Sequence, residues 1–193
     1  MQSDNNYLTK KEIRERLISL RKKLKNKWIE EKSIQIEERL FKEKDFIEKT
    51  NILFYDAFEK EVQTERMIKR SLDIHKRAFL PVTDFKNKKI LISEVRGKNM
   101  PIKIIPEDIV EVVIVPGVAF SKSGCRIGFG MGFYDRFLSR LSKDVKTIGL
   151  AFDFQIVNDI PLDNHDVTLD RIITEKRVIV CYKRGVNIHD HKC

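Results

Sequence analysis

The stretch at residues 111–132 places the strictest limit on how this chain folds. Its first residues, EVVIV, are nearly all apolar and β-branched, which is typical of a strand covered on both faces. Pro116 and Gly117 end that strand, and five of the chain's eight glycines lie between Gly117 and Gly132. Glycine loses more conformational entropy on folding than other residues, so this density indicates backbone with positive φ or in close contact with another group.

Strands alternate with helical patterns along the rest of the chain. Thr9 and Glu12 predict a capping box at the start of a helix whose apolar stripe is Ile13, Leu17, Leu20 and Leu24. Further helices are predicted over residues 32–44, after Thr64 and over residues 131–141. Strands are predicted at residues 52–55, 77–80, 90–95, 102–105, 111–115, 147–152, 172–174 and 177–182, with Pro81 ending the second of them. This order predicts an α/β fold with helices on both faces of a mostly parallel sheet.

Composition limits the class of protein. A chain of 193 residues with 41% hydrophobic content predicts one domain with one sizeable core. No apolar run is long enough to span a bilayer and the first residues do not resemble a signal peptide, so a cytoplasmic location is expected. Cys125, Cys181 and Cys193 are widely separated and form no CxxC pair, which predicts free thiols and no structural metal.

Positive charge is concentrated near the start of the chain. Residues 10–27 contain nine cations and two acids, and so carry +7 of the net charge of +9. Lys10, Arg14 and Arg21 share one edge of the first helix. These cations either solubilise the surface or bind a phosphate of a nucleotide, a nucleic acid or a lipid headgroup.

The glycine-rich run RIGFGMGFYDRF at residues 126–137 follows a strand and precedes a helix. Ligands in open parallel sheets bind at the carboxyl ends of the strands, and backbone N–H groups there attract anions. The glycine spacing matches neither a Walker loop nor a dinucleotide fingerprint. Asp135 is either a favourable charge in the first turn of the helix or a magnesium ligand beside a phosphate.

Four segments in order resemble the 5-formyltetrahydrofolate cyclo-ligase family, also called methenyltetrahydrofolate synthetase. They are KKEIR near the N-terminus, ILFYDAFEKEVQT, the run VPGVAFSKSGCRIGFGMGFYDRFL, and IGLAFDFQIV followed by NHDVTLDRIIT. The resemblance implies a three-layer α/β/α sandwich related to sugar-phosphate isomerases and CoA transferases. It also implies a reaction in which ATP, with Mg²⁺, converts 5-formyltetrahydrofolate to 5,10-methenyltetrahydrofolate, ADP and phosphate.

The resemblance carries functional roles to individual positions. The implied ATP-binding residues are Lys10, Arg14, Arg126, Ile127, Gly128, Phe129, Gly130, Met131, Gly132, Phe133 and Tyr134. The implied substrate-binding residues are Asp56, Phe58, Glu61, Phe129, Gly130, Met131, Gly132 and Phe133. The implied magnesium ligands are Asp135 and Asp170. Glu61 can alternatively be a helix N-terminal acid, and Phe58 and Phe129 can belong to the core.

The expected organisation is one domain over residues 1–185, with N-terminal helices in 9–44, an α/β core in 51–182 and a flexible tail at 186–193. A monomer that binds small molecules and neither nucleic acid nor membrane is expected. Met131 and Phe133 depart from the family's usual residues, which leaves open a paralogue that acts on another small substrate. A nucleic-acid-binding protein that uses the basic N-terminal segment is the other alternative.

Overall fold

A computed structural model describes residues 8–96, 102–161, 163 and 166–181. The α-helices within these residues are α1 (Lys10–Lys22), α2 (Asn26–Leu40), α3 (Lys44–Ile47), α4 (Glu65–Asp73) and α5 (Phe133–Leu138). The strands are β1 (Asn51–Leu53), β2 (Arg77–Asp84), β3 (Lys89–Glu94), β4 (Ile104–Ile105), β5 (Val112–Val115), β6 (Ala119–Ser121), β7 (Arg126–Ile127), β8 (Lys146–Leu150), β9 (Ile156–Val157), β10 (Arg171–Ile173) and β11 (Val178–Val180). Short 3-10 helices lie at Glu107–Ile109 and Asp153–Gln155.

The strands form a large sheet and a small one. The large sheet has the order β11-β10-β8-β5-β1-β2-β3-β4 and the small sheet has the order β7-β6-β9. Neighbouring strands from β10 to β2 are parallel, whereas β11, β3 and β4 pair antiparallel at the edges. The predicted mostly parallel sheet is therefore confirmed, and so is the pairing predicted for the strands at residues 90–95 and 102–105.

Both faces of the large sheet are covered, as the β-branched run predicted. Val112 and Ile114 of β5 pack in one core cluster with residues from α2, α3 and α4. Val113 and Val115, which point the opposite way, pack in a second cluster with Phe137 of α5 and with residues of the small sheet. The three-layer arrangement is confirmed, and the outer layer on the side of α5 also contains the small sheet.

Helix α1 begins with the predicted capping box. The Thr9 hydroxyl accepts from the Glu12 N–H at 3.3 Å, and the Glu12 carboxylate accepts from the Thr9 N–H at 2.8 Å. The predicted apolar stripe was wrong at one position, because Leu20 is 40% exposed whereas Arg21 is 2% exposed. The buried face of α1 therefore includes Arg21 of the basic edge in place of the predicted Leu20.

Strand β2 continues through Pro81, which contradicts the predicted stop. The carbonyl of Phe79 accepts from Phe54 on the side of β1, and the carbonyl of Ala78 accepts from Val95 on the opposite side. By this alternation the Pro81 nitrogen faces the side of β1, but β1 has already ended at Leu53. A missing N–H is tolerated there. As a result, β2 and β3 extend as a hairpin beyond the carboxyl end of β1.

Three other boundaries differ from the sequence prediction. Helix α2 begins and ends earlier than the predicted 32–44, and α3 is separate from it. Helix α5 begins at Phe133 because Gly132 adopts a left-handed conformation with φ of 65°, so the glycine-rich run lies before the helix.

The predicted flexible tail at 186–193 lies outside the described residues, and the single-domain assignment for 1–185 stays a prediction.

Two further observations concern the described part of the chain. None of its helices combines the length and the hydropathy that crossing a bilayer requires. Cys125 and Cys181 are buried free thiols, as predicted, while Cys193 lies outside the described residues. Burial raises the pKa of the Cys181 thiol to about 12, and a thiol with such a pKa is unreactive at neutral pH.

Candidate active site

A cavity of about 380 Å³ lies beyond the carboxyl ends of β1 and β5. Its walls come from α1, the β2–β3 hairpin, the glycine-rich run and the loop that follows β9. The predicted site residues that line it are Lys10, Arg14, Glu61, Arg126, Ile127, Gly128, Phe129, Gly130, Met131, Gly132, Phe133, Tyr134 and Asp135. The expected position, at the carboxyl edge of a parallel sheet, is therefore observed.

The glycine-rich run adopts backbone conformations that favour glycine at two positions. Gly130 has φ of 99° and Gly132 has φ of 65°, as the density of glycines predicted. Gly128 has no such φ, and a Cβ built there meets no atom within 4 Å. A ligand can therefore approach the backbone of Gly128 directly.

Arg14 attaches helix α1 to this run. Its Nε donates a hydrogen bond to the carbonyl oxygen of Gly128 at 2.8 Å, and its guanidinium carbon lies 3.7 Å from the Cβ position of Gly130. The guanidinium therefore lies beside two glycines of the run and at the cavity wall. These contacts place a positive charge beside the backbone of the glycine-rich run.

Lys10 is held by two carboxylates that the sequence analysis did not identify. Its Nζ lies 2.6 Å from Asp163 Oδ2 and 2.5 Å from Asp166 Oδ2. Burial works to lower the pKa of Lys10, but hydrogen bonds to the two carboxylates outweigh it and raise the pKa. Both aspartates line the cavity, so a phosphate that binds Lys10 has to compete with them. The sequence feature that could have identified them is the acidic segment at residues 153–170, whose charge is complementary to that of the basic first helix.

Asp135 meets Arg126 at the start of α5. Their side chains form an ion pair of 2.8 Å, in which Arg126 is buried and the Asp135 side chain is 27% exposed. A half-buried carboxylate at the wall of a cavity fits Mg²⁺, which usually takes one or two carboxylates together with phosphate oxygens. The residues present at Asp135 thus suit a magnesium ion that binds together with a nucleotide.

Asp170 does not join Asp135 at the cavity. Its Oδ2 accepts hydrogen bonds from the N–H and the hydroxyl of Thr147, at 2.9 and 2.8 Å. Asp170 immediately precedes β10 and Thr147 is near the start of β8, so this contact lies at the amino ends of the parallel strands. Of the two implied magnesium ligands, only Asp135 therefore lines the cavity, and the structure does not bring Asp170 to it. The described residues contain no cluster of three or more His, Cys, Asp or Glu side chains that could hold a metal.

Glu61 is a buried carboxylate at the base of the cavity. Its Oε2 accepts from the Phe58 N–H at 3.1 Å, and its Oε1 lies 3.5 Å from the Arg21 guanidinium. Burial raises the pKa of the Glu61 carboxyl, while the Phe58 hydrogen bond and the Arg21 charge oppose the rise. Oε1 has no hydrogen-bond partner among the described residues, and neither does the buried Tyr134 hydroxyl. An acceptor and a hydroxyl are thus available for a polar ligand.

Apolar side chains form the rim of the cavity. The rings of Phe58 and Phe129 meet edge to face with centroids 6.4 Å apart, and Phe133 makes a similar contact with Phe85 at 5.7 Å. Phe58, Phe129 and Met131 are 61%, 48% and 57% exposed, so these three are not core residues. An exposed aromatic rim suits a planar ring system.

Two predicted substrate residues lie outside the cavity lining. Phe58 reaches the site through Phe129, whereas Asp56 is exposed at the start of the loop that leads to Glu61. Sequence reasoning also missed Pro81, Thr83 and Ile90, which the β2–β3 hairpin brings to the cavity. These residues were missed because Pro81 was interpreted as the end of a strand.

The cavity has two chemically different sides. Lys10, Arg14 and Arg126 supply positive charge beside the glycine backbone, which suits phosphate groups. Glu61 and the aromatic rim supply a hydrogen-bond acceptor and apolar surface. The site can therefore accommodate a polyphosphate next to a planar molecule with N–H donors.

Comparisons with known proteins agree with this geometry. The profile of the 5-formyltetrahydrofolate cyclo-ligase family matches residues 6–175. A probable 5-formyltetrahydrofolate cyclo-ligase from Caenorhabditis elegans is 29% identical over 197 residues, which cover 89% of this chain and 95% of the relative.

Solved structures of 5,10-methenyltetrahydrofolate synthetases share the fold. That from Aquifex aeolicus is 26% identical with a TM-score of 0.77 and covers 96% of this chain and 100% of its own. That from Mycoplasma pneumoniae is 25% identical, also with a TM-score of 0.77, and covers 87% of this chain and 99% of its own. The chain therefore belongs to the 5-formyltetrahydrofolate cyclo-ligase family.

Proposed function

We propose that this protein converts 5-formyltetrahydrofolate to 5,10-methenyltetrahydrofolate, with ATP cleaved to ADP and phosphate and Mg²⁺ as the required ion. One observation carries the proposal: a single cavity holds three cations beside glycine backbone and, next to them, a buried carboxylate with an aromatic rim. Relatives named for this reaction match nearly the whole chain, which supports the same assignment.

The chemistry explains why positive charge and positioning suffice. A formamide oxygen is a poor leaving group, so it first attacks the terminal phosphorus of ATP and ADP departs. The N10 amine then attacks the activated formyl carbon, phosphate departs with the former formyl oxygen, and N10 gives up its proton. Catalysis consists mainly of aligning the reactants and neutralising phosphoryl charge, and no side-chain nucleophile is needed.

The residues of this chain divide those tasks. Lys10, Arg14 and Arg126, with the backbone of Gly128, would hold the ATP phosphates. Asp135 would hold Mg²⁺, which supplies charge neutralisation on the phosphates when it is bound. Glu61 would accept N–H bonds from the amino-pyrimidine edge of the pterin, which is a charge-assisted contact.

Partners and location follow from the same observations. We propose a monomer, because one chain by itself supplies the cations, the glycine backbone and Glu61 to the cavity. The basic residues Lys10 and Arg14 face the cavity, which favours a nucleotide over a nucleic acid or a membrane as their phosphate partner. The free thiols of Cys125 and Cys181 suit a reducing compartment and thus the cytoplasm.

A turnover assay tests the proposal. Purified protein with Mg-ATP and 5-formyltetrahydrofolate is expected to produce the methenyl chromophore, and omission of ATP to abolish it. Replacement of Lys10 by Gln is expected to raise the KM for ATP by about tenfold, because one phosphate contact is lost. Lys11→Gln is the matched control, since the Lys11 side chain is 79% exposed and does not line the cavity.

Failure of the assay would have a specific meaning. If the protein binds ATP but forms no methenyl product, the proposed reaction is wrong and another small substrate is used on the same scaffold. Met131, which is exposed at the rim and departs from the usual family residue, favours that second candidate. Met131→Gly would then be expected to alter substrate choice while the affinity for ATP is retained.

A further inference from the structure

Arg21 occupies an unusual position for an arginine on an amphipathic helix. It lies on α1 one turn after Leu17 and is 2% exposed, which makes it one of the largest fully buried side chains described. A buried charge costs free energy unless it is paired and hydrogen-bonded. The sequence pattern placed Arg21 with Lys10 and Arg14 on the basic edge of the helix, where it would either be solvated or bind a phosphate, so its burial requires a separate explanation.

Two contacts of Arg21 reach residues assigned to the folate side of the cavity. Its Nη1 lies 3.5 Å from Glu61 Oε1, and its guanidinium carbon lies over the Phe129 ring, 5.4 Å from the centroid. Arg21 itself does not line the cavity. It therefore reaches any ligand only through Glu61 and Phe129.

The polar atoms around this contact are not saturated. Both Nη atoms of Arg21, Glu61 Oε1 and the Tyr134 hydroxyl are buried and make no hydrogen bond within the described residues. Buried polar groups in folded proteins are nearly always hydrogen-bonded, so each exception needs an explanation. The pair is thus oriented by charge while Oε1 keeps its capacity to accept from a ligand.

We propose that Arg21 is a positioning residue that holds the Glu61 carboxylate and the Phe129 ring in place for the pterin of the folate substrate. This inference rests on the proposed function. Arg21 contributes a positive charge that favours the ionised form of Glu61, and its planar guanidinium supports the face of the Phe129 ring. Removing it should weaken folate binding and leave ATP binding unchanged.

The charges around Glu61 decide how its ionisation responds to that removal. Arg21 on α1 favours the carboxylate, whereas Glu59 on the same loop disfavours it. Tyr55, which follows β1, and Tyr134 of α5 face it and are uncharged at neutral pH, because burial raises the pKa of each phenol. Without Arg21, burial raises the pKa of Glu61 unopposed by a positive charge. Protonated Glu61 loses an acceptor, so folate affinity should then increase as pH rises.

The experiment compares Arg21→Met with Arg16→Met, an exposed arginine of the same helix. Arg21→Met is expected to raise the KM for 5-formyltetrahydrofolate about tenfold or more and to change the KM for Mg-ATP less than about twofold. Because loss of the Arg21 charge raises the pKa of Glu61 further, the ratio of this variant's kcat/KM for folate to that of wild type is expected to rise as pH increases. Arg16→Met is expected to match wild type, and substrate ionisation cancels because the substrates are the same.

Other outcomes separate the inference from the proposed function. Equal effects on both substrates, or a pH profile parallel to wild type, would overturn the positioning role. An inactive wild-type protein would instead overturn the proposed reaction.

If Arg21→Met alone does not fold, a double mutant still tests the inference. Replacing both members of a buried ion pair is tolerated better than removing one, so Arg21→Met with Glu61→Gln is expected to fold. In the Glu61→Gln background, Arg21→Met should raise the folate KM by less than about threefold, because Glu61 then no longer depends on Arg21 and only the Phe129 contact is lost. A rise of about tenfold or more in that background would show that Arg21 does not act mainly through Glu61, and the inference fails.

Discussion

Gly130 shows how one residue constrains the side of the cavity where we propose that ATP binds. Its φ of 99° lies in a region that L side chains rarely adopt, and Arg14 lies 3.7 Å from its Cβ position. Gly128, two residues earlier, has neither a positive φ nor an atom near its Cβ position. Glycine is therefore favoured at position 130 by the backbone conformation, whereas at position 128 it leaves space for a ligand to approach the backbone.

Substituting each glycine by alanine is expected to give different results. Gly130→Ala should lower the free energy of unfolding by about 1–2 kcal/mol, because an L residue is strained at that φ. Gly128→Ala should leave stability unchanged and should still raise the KM for ATP, because its methyl group occupies space that a phosphate needs. Thermal unfolding and ATP kinetics measure the two effects. A Gly130→Ala protein as stable as wild type would contradict the strain argument.

At the scale of elements, Glu111 joins β1 to β5 at the end of the sheet opposite the cavity. Its Oε2 accepts from the N–H groups of Thr50 and Asn51, each at 3.0 Å, and from the Asn51 side-chain amide at 3.1 Å. Burial works to raise the pKa of Glu111, but these bonds and the charge of Lys49 outweigh it and lower the pKa. The Glu111 carboxylate thus holds the start of β1 against the start of β5, where their parallel pairing begins.

The lowered pKa predicts a pH dependence of stability. A carboxyl whose folded pKa is below its unfolded value stabilises the protein above the unfolded value, and this stability is lost as pH falls through the folded pKa. Glu111→Gln is therefore expected to be less stable than wild type above the unfolded pKa of 4.5, with the difference shrinking as pH falls from there through the lower folded pKa. Urea unfolding across this range is the measurement. A difference that stays constant with pH would show that charge is not involved.

At the scale of the whole molecule, α1 connects the small sheet with the cavity. Ile13 and Leu17 pack in a core cluster with Val118, Ala119 and Ile127, while Lys10 on the same helix faces the cavity. The cations of α1 therefore reach the phosphate site only when the helix is docked. Binding of ATP and docking of α1 should stabilise each other.

Hydrogen exchange should reveal this coupling. Mg-ATP is expected to slow amide exchange in α1 more than in α2, because phosphates would bind between Lys10 or Arg14 and the glycine-rich run. The Lys10→Gln variant should lose part of that protection at the same ATP concentration. Identical exchange in α1 with and without Mg-ATP would contradict the coupling.

Local features of the chain were predictable because their causes lie within a few residues. The capping box of Thr9 and Glu12 and the doubly covered strand β5 depend on neighbouring side chains and on β-branching. The extension of β2 through Pro81 was not predictable, because it depends on where β1 ends in space. The site residues carried over from the family resemblance line one cavity, with the exceptions of Asp56, Phe58 and Asp170.

The sequence by itself determined the α/β class, the glycine-rich run before α5 and membership of the family, because periodicity, capping and motif order are properties of the linear chain. Only the tertiary structure decided that Arg21 is buried against Glu61, that Asp163 and Asp166 hold Lys10, and that Asp170 lies at the opposite edge of the sheet. Each of these contacts joins residues far apart in the chain. Their geometry follows from how α1 and the strands dock, and local patterns do not encode it.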